Sequence, residues 1–257
     1  MKFKRIIFNL FYENGFFCQS RNFFLQRVGD VNWLKNTFGF ENLSNYIDEL
    51  IITLTTINPS VKNVKKYLND VEIIKKNFFL PITLAGGIRC HEDVQQRFNS
   101  GADKILLNSL VHIDIEKINS ISNRYGSQAV ILGCDYIYKN GKIITKFQSA
   151  KQYSFEIKEY LMRLRKNKIN FGELLVNSID KDGTGQGFDL NIIKIFKDFE
   201  KPLIIMGGAG NSDHFLQVLK KNIDAAATGN LFNFLGSGLK NTRLILIKKK
   251  CKLVNFD

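Results

Sequence analysis

The sequence resembles itself at a spacing of about half its length. Residues 81–87 (PITLAGG) correspond to residues 202–208 (PLIIMGG), 121 positions further along the chain. The same spacing relates Asp103 to Asp224. Chance likeness between generic strand–helix units is the alternative, but a proline, a pair of glycines and an aspartate all match at one spacing. The repeat therefore predicts two similar halves, each built from several secondary-structure elements.

Short apolar runs alternate with longer amphipathic stretches along the whole chain. Such alternation indicates parallel strands joined by helices. Eight strands in 257 residues fit a (β/α)8 barrel, which takes roughly 250 residues. Because no linker rich in Pro, Gly or Ser divides the chain, we predict one (β/α)8 TIM barrel domain over residues 1–257, with a two-fold half-barrel repeat. The predicted strands are residues 4–10, 49–54, 80–85, 104–108, 129–134, 173–177, 202–206 and 225–228, and the predicted helices include residues 91–100, 113–125, 155–167 and 212–221.

The chain is basic, with 37 Lys and Arg against 24 Asp and Glu and a net charge of +13. Such a charge suits nucleic acid, an acidic partner or a phosphorylated substrate. The basic residues are spread along a sequence rich in Lys, Asn, Ile and Phe, however, and only residues 248–250 form a dense run. We therefore favour ordinary solvated faces and predict no nucleic-acid partner.

Neither a membrane segment nor a metal site is indicated. No run reaches the ~18 uncharged apolar residues of a membrane span, and the basic N-terminus is not followed by the small residues of a signal-peptide cleavage site. We expect a cytoplasmic protein with no membrane span. The cysteines and histidines share no metal-ligand spacing, so we expect reduced thiols, no metal and no cofactor. These residues are Cys18, Cys90, Cys134, Cys251, His91, His112 and His214.

Glycine-rich or small polar segments follow several of the predicted strands. In a barrel of this kind, the loops after the strands hold the active site, and glycine lets backbone N–H groups approach an anion closely. Tight turns explain any one glycine pair equally well, but the repeat would build two phosphate cradles on opposite sides of one cavity. The candidate phosphate-binding residues are Gly86, Gly87, Asn108 and Ser109 in the first half, and Asp182, Gly183, Gly207, Gly208, Gly229 and Asn230 in the second.

Asp135 is the candidate catalytic residue. It follows an apolar run that would end the fifth strand, where a carboxylate can act as a general acid or base, although a capping aspartate is the alternative. The equivalent position of the first half, 124 residues earlier, is Phe11. A phenyl ring cannot carry a proton, so chemistry that needs two opposed carboxylates would have only one.

Four charged residues lie near the starts of predicted strands: Arg5, Glu49, Lys104 and Glu173. If all four point inward, they form a charged ring at the barrel floor, where buried charges must pair to offset their desolvation. The ring is then either a gate for a small polar molecule or a structural salt-bridge layer.

Several motifs together resemble the cyclase subunit of imidazole glycerol phosphate synthase. They run in order from about Lys4 to Phe234 and are KRII (4–7), AGGI (85–88), GADK (101–104), YGSQ (125–128), SIDKDGT (178–184) and GGAG (207–210). The resemblance implies that ammonia from a separate glutaminase subunit enters through the charged gate and crosses the core. It also implies a reaction at the top with a bisphosphorylated ribulosyl-aminoimidazole carboxamide nucleotide, which gives imidazole glycerol phosphate and aminoimidazole carboxamide ribotide.

The resemblance also implies a role for each matching residue. The four residues of the charged ring match the ammonia gate, Asp103 matches a residue that faces the glutaminase, and Asp135 matches the catalytic aspartate of the second half. The implied partners are a glutaminase, in a heterodimer, and a phosphorylated small-molecule ligand. The phosphate-site positions that match the family are Gly86, Asn108, Asp182, Gly183 and Gly208.

The departures from the family lie at the cyclase end of the first half. Phe11 replaces the catalytic aspartate, Gln19 a substrate-contacting lysine and Leu54 an aspartate, and the loop glycines are absent around Ser149-Ala150-Lys151. Loss of a general acid or base costs about 10²–10⁴ in rate, so we expect a cyclase-like lyase that is impaired as a cyclase.

This pattern is similar to that of the WbuZ-type paralogues associated with sugar amidation, which share a segment like residues 229–234 (GNLFNF). That resemblance implies a barrel that passes ammonia from a glutaminase to an N-acetyl sugar amidotransferase in surface-glycan synthesis, and it predicts an intact floor with an inactive top. The alternatives are an authentic cyclase of histidine biosynthesis, which predicts turnover with ammonia, and a non-enzymatic scaffold, in which changes to the ring affect stability alone.

Overall fold

The computed structural model describes residues 3–38, 43–76, 78–149, 151–196, 199–230 and 238–254. Eight parallel strands close into a barrel with helices around it, which confirms the predicted (β/α)8 fold. All eight predicted strands are present. The barrel strands are β1 (Arg5–Glu13), β4 (Glu49–Leu54), β5 (Ile82–Ala85), β6 (Lys104–Leu107), β7 (Val130–Lys139), β10 (Glu173–Ser178), β11 (Leu203–Met206) and β12 (Ala225–Thr228), and the other strands are β2 (Phe16–Arg21), β3 (Phe24–Gly29), β8 (Lys142–Phe147) and β9 (Gln152–Glu156).

Helices follow the barrel strands and cover the outside of the barrel. The helix predicted over residues 113–125 is interrupted at Asp114, whose carboxylate caps a new helix by accepting a hydrogen bond from the Lys117 backbone N–H. The helix predicted over residues 155–167 begins later, because residues 152–156 form β9. The helices are α1 (Val31–Phe38), α2 (Val61–Lys75), α3 (His91–Asn99), α4 (Ser109–Ile113), α5 (Ile115–Tyr125), α6 (Ile157–Lys166), α7 (Leu190–Ile195), α8 (Ser212–Leu219) and α9 (Gly238–Lys248), with a short 3-10 turn at Ser127–Ala129.

The barrel closes where β10 pairs with β7 and β12 pairs with β1, all in parallel. Side chains alternate along each strand between the barrel interior and the side that faces the helices. On β1, Ile7 and Phe11 belong to the inner apolar cluster, whereas Ile6, Phe8 and Leu10 belong to the outer one, between barrel and helices. Functional side chains therefore occupy every second position of a strand, on the interior side.

The two-fold repeat extends to individual hydrogen bonds. The Asp103 carboxylate accepts a hydrogen bond from the Ile82 N–H at 2.8 Å, and the Asp224 carboxylate accepts one from the Leu203 N–H at 2.9 Å. Each aspartate thus ties the start of its own strand to the start of the preceding strand, in both halves. The shared spacing of 121 residues therefore marks one structural unit used twice.

Two antiparallel ribbons at the top of the barrel were not predicted. β1 and β7 continue past the predicted ends of strands one and five, and each turns back into a hairpin, β1–β2–β3 in the first half and β7–β8–β9 in the second. Each first hairpin turns at an Asn-Gly pair with positive φ at both residues, Asn14-Gly15 and Asn140-Gly141, which is the backbone that a two-residue hairpin needs. Asp135 therefore lies within β7 and does not end it, contrary to the expectation.

The floor of the barrel also holds the C-terminal segment. Lys4 pairs with Leu253 in a parallel bridge, and the Lys4 N–H donates to the Lys252 carbonyl at 2.7 Å. The buried Arg243 guanidinium on α9 donates to both carboxylate oxygens of Asp48 at 3.1 and 3.2 Å. The end of the described chain is thus fastened to the start of β1 and to the residue before β4.

Not every phenylalanine packs in the core. Phe24 is 82% exposed at the β2–β3 turn, and Phe79 is 89% exposed before β5. Phe24 begins β3, and Phe79 lies in the connection from α2 to β5.

Candidate functional site

A cavity of about 250 Å³ opens at the C-terminal ends of the barrel strands. Its inner wall consists of inward side chains of the barrel, and its rim consists of the loops that follow the strands. The structure brings most of the predicted first-half residues to this one cavity, together with the candidate acid and its counterpart. The predicted residues that line it are Phe11, Gly86, Gly87, Asn108, Ser109 and Asp135.

Asp135 is held by two amide side chains. Asn108 Nδ2 donates to Asp135 Oδ2 at 2.6 Å, and Asn177 Nδ2 donates to Asp135 Oδ1 at 3.1 Å. Burial raises the pKa of Asp135 to about 7, while the hydrogen bond from Asn177 opposes the rise and the charge of Asp182 adds to it. A carboxyl group with a pKa near neutrality can both take and give a proton at physiological pH.

Asn177 is a site residue that the sequence analysis missed. It lies on β10 directly opposite Asp135 in the β7–β10 pairing, is 4% exposed and lines the cavity. The available signal was an asparagine directly after the apolar residues 174–176 of a predicted strand. A buried polar residue in such a strand needs a partner, which the pairing with β7 supplies.

Phe11 occupies the place opposite Asp135 in the repeat and lines the same cavity. Its side chain is 7% exposed and belongs to the inner apolar cluster. A Cβ atom on Gly229 would lie 2.6 Å from Phe11 Cε2, so the ring packs directly on the Gly229 backbone. Close packing therefore accounts for Gly229 without a ligand.

The Gly86-Gly87 loop forms the rim beside β5. Gly86 has φ +85°, and a Cβ atom there would lie 1.9 Å from the Leu54 carbonyl oxygen. Only glycine fits this position, because any side chain would collide with the backbone of β4. Leu54, where the family pattern has an aspartate, is itself buried and lines the cavity.

The second-half candidates surround a separate and much smaller cavity of about 10 Å³, space for about one water molecule. The β2–β3 hairpin lies against this region, because Asp182 Oδ2 accepts hydrogen bonds from Ser20 Oγ at 2.5 Å and from the Phe23 N–H at 3.0 Å. Burial raises the pKa of Asp182, and these hydrogen bonds partly oppose the rise. The residues around this cavity include Asp182, Gly183, Gly207, Gly208, Gly229 and Asn230.

At the opposite end of the barrel, the four charged residues form a closed ring. Arg5 donates to Glu49 Oε1 at 2.5 Å and to both carboxylate oxygens of Glu173. Lys104 Nζ lies 2.6 Å from Glu173 Oε1 and 3.2 Å from Glu49 Oε2. β1 and β4 are neighbouring strands, and the register that pairs Ile7 with Glu49 directs Arg5 and Glu49 to the same interior face.

The ring is mostly buried, and its charges stabilise one another. Burial disfavours the charged form of Arg5, but hydrogen bonds and charges from Glu173 and Glu49 outweigh it and raise the pKa of Arg5 above its ordinary value. Burial also favours the neutral form of Glu173, but hydrogen bonds and charges from Arg5 and Lys104 outweigh it and lower the pKa of Glu173.

An apolar layer separates the charged ring from the cavity. On each of four strands, an apolar residue points into the barrel two positions before a residue that lines the cavity. Thr83 is the polar member at this level of the interior. The four apolar residues are Ile7, Ile51, Ile131 and Ile204, each at most 1% exposed.

Asp103 lies at the floor with its side chain about half exposed. It accepts a hydrogen bond from Lys75 Nζ at 3.2 Å in addition to the one from the Ile82 N–H. Its position at the same end as the charged ring is compatible with a contact to a partner, and its local hydrogen bonds also give it a structural role.

Of the remaining predicted residues, Gln19 and Ser149 belong to the described part of the chain. Gln19 lies on β2, where its side-chain Nε2 donates to the Ser20 carbonyl, and it does not line the cavity within the described residues. Ser149 lines the cavity rim and donates to the Thr55 carbonyl at 2.9 Å. Ala150 and the motif residues 231–234 lie outside the described residues.

Within the described chain, no helix combines the length and apolar character required to cross a membrane.

Comparison with known families gives a match over most of the chain. A family model described as histidine biosynthesis protein matches residues 44–236.

Comparison with individual proteins gives matches over about four fifths of the chain or more. A protein of Parasynechococcus marenigrum named "Putative imidazole glycerol phosphate synthase subunit hisF2" is 42% identical over 95% of this chain and 90% of its own length. The imidazole glycerol phosphate synthase subunit HisF of Chlorobaculum parvum is 31% identical over 96% of each chain. A second protein with the hisF2 name, from Campylobacter jejuni, is 33% identical over 79% of this chain and 80% of its own.

Proposed function

This chain belongs to the histidine biosynthesis protein family, as a HisF-like barrel, and from that premise we propose that it is the ammonia-conducting subunit of a glutamine amidotransferase complex. In this proposal a glutaminase docks at the floor as the second member of a heterodimer. Ammonia then crosses the barrel and is delivered at the top to an N-acetyl sugar amidotransferase of surface-glycan synthesis. The complex would act in the cytoplasm.

Phe11 is the observation that carries the proposal. It lines the cavity where the repeat places the counterpart of Asp135, and a phenyl ring can neither give nor take a proton. Asp135 is then the one acidic residue among the described residues that line the cavity. Proton transfer from two sides of a substrate, which the resemblance implies for the cyclase, lacks one of its two groups.

The floor supports transport of ammonia in its neutral form. The charged ring offers hydrogen-bonding groups at the entrance, and the layer of Ile7, Ile51, Ile131 and Ile204 follows it. A buried charge costs far more than a buried neutral molecule, so an apolar layer favours passage of ammonia over ammonium. A chain that keeps this entrance and lacks the second acid suits delivery of ammonia better than cyclisation.

The proposal is tested by cyclase turnover of the purified chain with the bisphosphorylated nucleotide and saturating ammonium, beside Phe11→Asp. Ammonium bypasses the glutaminase, so the assay reports the chemistry of the barrel alone. We expect no turnover from the unmodified chain and measurable turnover from Phe11→Asp, since restoring a general acid or base is worth about 10²–10⁴ in rate. Phe11→Leu is the matched control, because it changes the same side chain without adding a carboxyl group.

Turnover by the unmodified chain, at a rate that Phe11→Asp does not exceed, would contradict the proposal. The second candidate function would then hold, an authentic cyclase of histidine biosynthesis. The pKa of about 7 at Asp135 favours that candidate, because one side chain with such a pKa can serve as acid and base in turn.

A further inference from the structure

Arg97 is a fully buried cation that the proposed function does not use. Its side chain, on α3, is 0% exposed. Arg97 Nη2 donates to the carbonyl oxygens of Gly86 and Gly87 at 3.1 and 3.4 Å, and Nη1 donates to the Asp93 carbonyl at 3.3 Å. Within the described residues its Nε has no acceptor, and no carboxylate lies within 4.0 Å of the guanidinium. Among the described residues, the hydrogen bonds of the guanidinium therefore go to carbonyl groups alone.

The fold itself does not require a cation at this position. α3 begins at His91 and α8 at Ser212, so the two helices correspond at the repeat spacing of 121 residues. At that spacing the counterpart of Arg97 is Val218, which is also 0% exposed. The same helix position is therefore filled by an apolar side chain in the second half. A buried, unpaired charge is unfavourable unless something compensates it, which indicates a role outside packing.

The carbonyl contacts of Arg97 fix the direction of the neighbouring N–H groups. The described chain has no cis peptide bond, and in a planar trans peptide the C=O and the N–H point in opposite directions. Because the Gly86 and Gly87 carbonyls point at Arg97, the N–H groups of Gly87 and Ile88 point away from it. Both residues line the cavity, and neither N–H donates to an acceptor among the described residues.

We propose that Arg97 is a positioning residue for the phosphate site already expected at Gly86-Gly87, because its guanidinium holds the N–H groups of Gly87 and Ile88 toward a phosphate monoester dianion. The guanidinium orients both peptides from behind the loop, and its positive charge lies on the far side of the loop from the cavity. An anion bound by the two N–H groups would compensate the buried charge of Arg97 through the loop. The inference rests on the top cavity being open to a ligand, whereas the proposed function uses the same cavity as the exit for ammonia.

Binding of inorganic phosphate to the full chain tests this role. The affinity is measured by calorimetric titration at constant ionic strength, and the backbone N–H resonances are followed by NMR. We expect saturable binding that shifts the Gly87 and Ile88 resonances. Arg97→Met should weaken binding at least about tenfold, the factor of one charge-assisted hydrogen bond. Arg97→Lys should be intermediate, because an ammonium keeps the charge but lacks the planar fork that reaches both carbonyls.

Arg124→Met is the matched control, since it removes the same charge from an exposed position on α5 and should leave the affinity unchanged. Phosphate affinity of Arg97→Met equal to that of the unmodified chain would overturn the inference. If that variant does not fold, the unmodified chain still decides, because unshifted Gly87 and Ile88 resonances under saturating phosphate overturn it too. The experiment uses no glutaminase and no acceptor enzyme, so ammonia delivery can fail while this site stands, and the reverse.

Discussion

At the scale of single residues, Asp135 shows how a side chain acquires its chemistry from its surroundings. Two amide groups hold its carboxylate, and burial raises its pKa to about 7. Its position could be predicted from an apolar run followed by an acid, but its pKa could not. That value depends on burial in the closed barrel and on Asn177, whose hydrogen bond opposes the rise. Asn177 is 42 residues away in sequence and lies opposite Asp135 only because β7 pairs with β10.

The raised pKa of Asp135 predicts a pH dependence of stability. The unfolded chain has an aspartate pKa of about 3.9, so between about pH 4 and pH 7 the folded chain holds a proton that the unfolded chain has lost. The free energy of unfolding therefore falls as the pH rises through this range. In Asp135→Asn this loss is absent. We expect the variant to gain on the order of 2–4 kcal/mol relative to the unmodified chain between pH 4.5 and pH 7.5.

Urea unfolding of both proteins at several pH values measures this difference. The other titrating groups contribute to both proteins, so they cancel in the comparison. Parallel curves of unfolding free energy against pH would show that the pKa of Asp135 is not raised.

The charged ring at the floor predicts a large cost for removing one member. Arg5→Met leaves Glu49 and Glu173 buried with Lys104 alone, and breaking a buried ion pair in this way costs about 3–5 kcal/mol. Because the pKa of Glu173 is lowered, its contribution is present at neutral pH and is lost as the pH falls through the acid range. Chemical unfolding at pH 7 measures the loss.

The control for the ring is the exposed pair of Lys117 and Asp114. Lys117→Met removes one charge from a solvated ion pair, so we expect it to lower the unfolding free energy far less than Arg5→Met does. If Arg5→Met and Lys117→Met lowered the unfolding free energy equally, the ring would not be the buried network that its distances indicate.

At the scale of elements, the two ribbons explain both a success and a failure of the sequence analysis. The barrel strands were found because buried parallel strands are continuous apolar runs. β2, β3, β8 and β9 were missed because they are half exposed and mix polar with apolar residues. Their signal was nevertheless present in the Asn-Gly pairs at residues 14–15 and 140–141, which are strong hairpin signals.

Because the β2–β3 hairpin rests on Gly183, we expect an alanine at Gly183 to lower the unfolding free energy more than an alanine at Gly141. Gly183 has φ +67°, and a Cβ atom there would lie 2.1 Å from the Ser20 carbonyl oxygen on β2. Gly141, at the tip of β7–β8, has φ +75° and no atom within 4 Å of such a Cβ. We expect Gly141→Ala to cost about 1 kcal/mol, for the backbone conformation alone. Gly183→Ala should cost 2 kcal/mol or more, because it adds a backbone collision of the kind that strains packed cores.

The two unfolding free energies from urea titration decide this comparison. Limited proteolysis gives a second readout, since Gly183→Ala should expose the β2–β3 hairpin to cleavage and Gly141→Ala should not. Equal costs for the two variants would show that the hairpin does not rest on Gly183.

At the scale of the whole molecule, the repeat predicted the architecture but not the difference between its halves. The sequence analysis found two sets of glycine loops and expected two equivalent cradles. In the structure, the first-half set borders a cavity of about 250 Å³, whereas the second-half set surrounds one of about 10 Å³ under the β2–β3 hairpin. A spacing of residues cannot reveal which loop is covered, because coverage depends on a ribbon from the other half.

In the helix layer, the burial of Arg97 is a second difference between the two halves that the sequence analysis did not predict. An arginine on an amphipathic helix is ordinarily a surface residue, so nothing in the local pattern distinguished it. The comparison with Val218 at the repeat spacing would have done so, because it shows that the position faces the core. Departures from an internal repeat are therefore as informative about function as the matches that define it.

The pairing of Lys4 with Leu253 and of Asp48 with Arg243 also determines when the barrel can close during synthesis on the ribosome. The first strand emerges from the exit tunnel long before the segment that flanks it at the floor, so its edge stays unpaired while most of the chain is translated. The early half can gather its own helices and local hydrogen bonds in the meantime, but the ring of strands cannot shut. Closure is consequently a late step, dependent on contacts between residues far apart in sequence, and a nascent barrel remains an open sheet with exposed edges until residues 225–254 have left the tunnel.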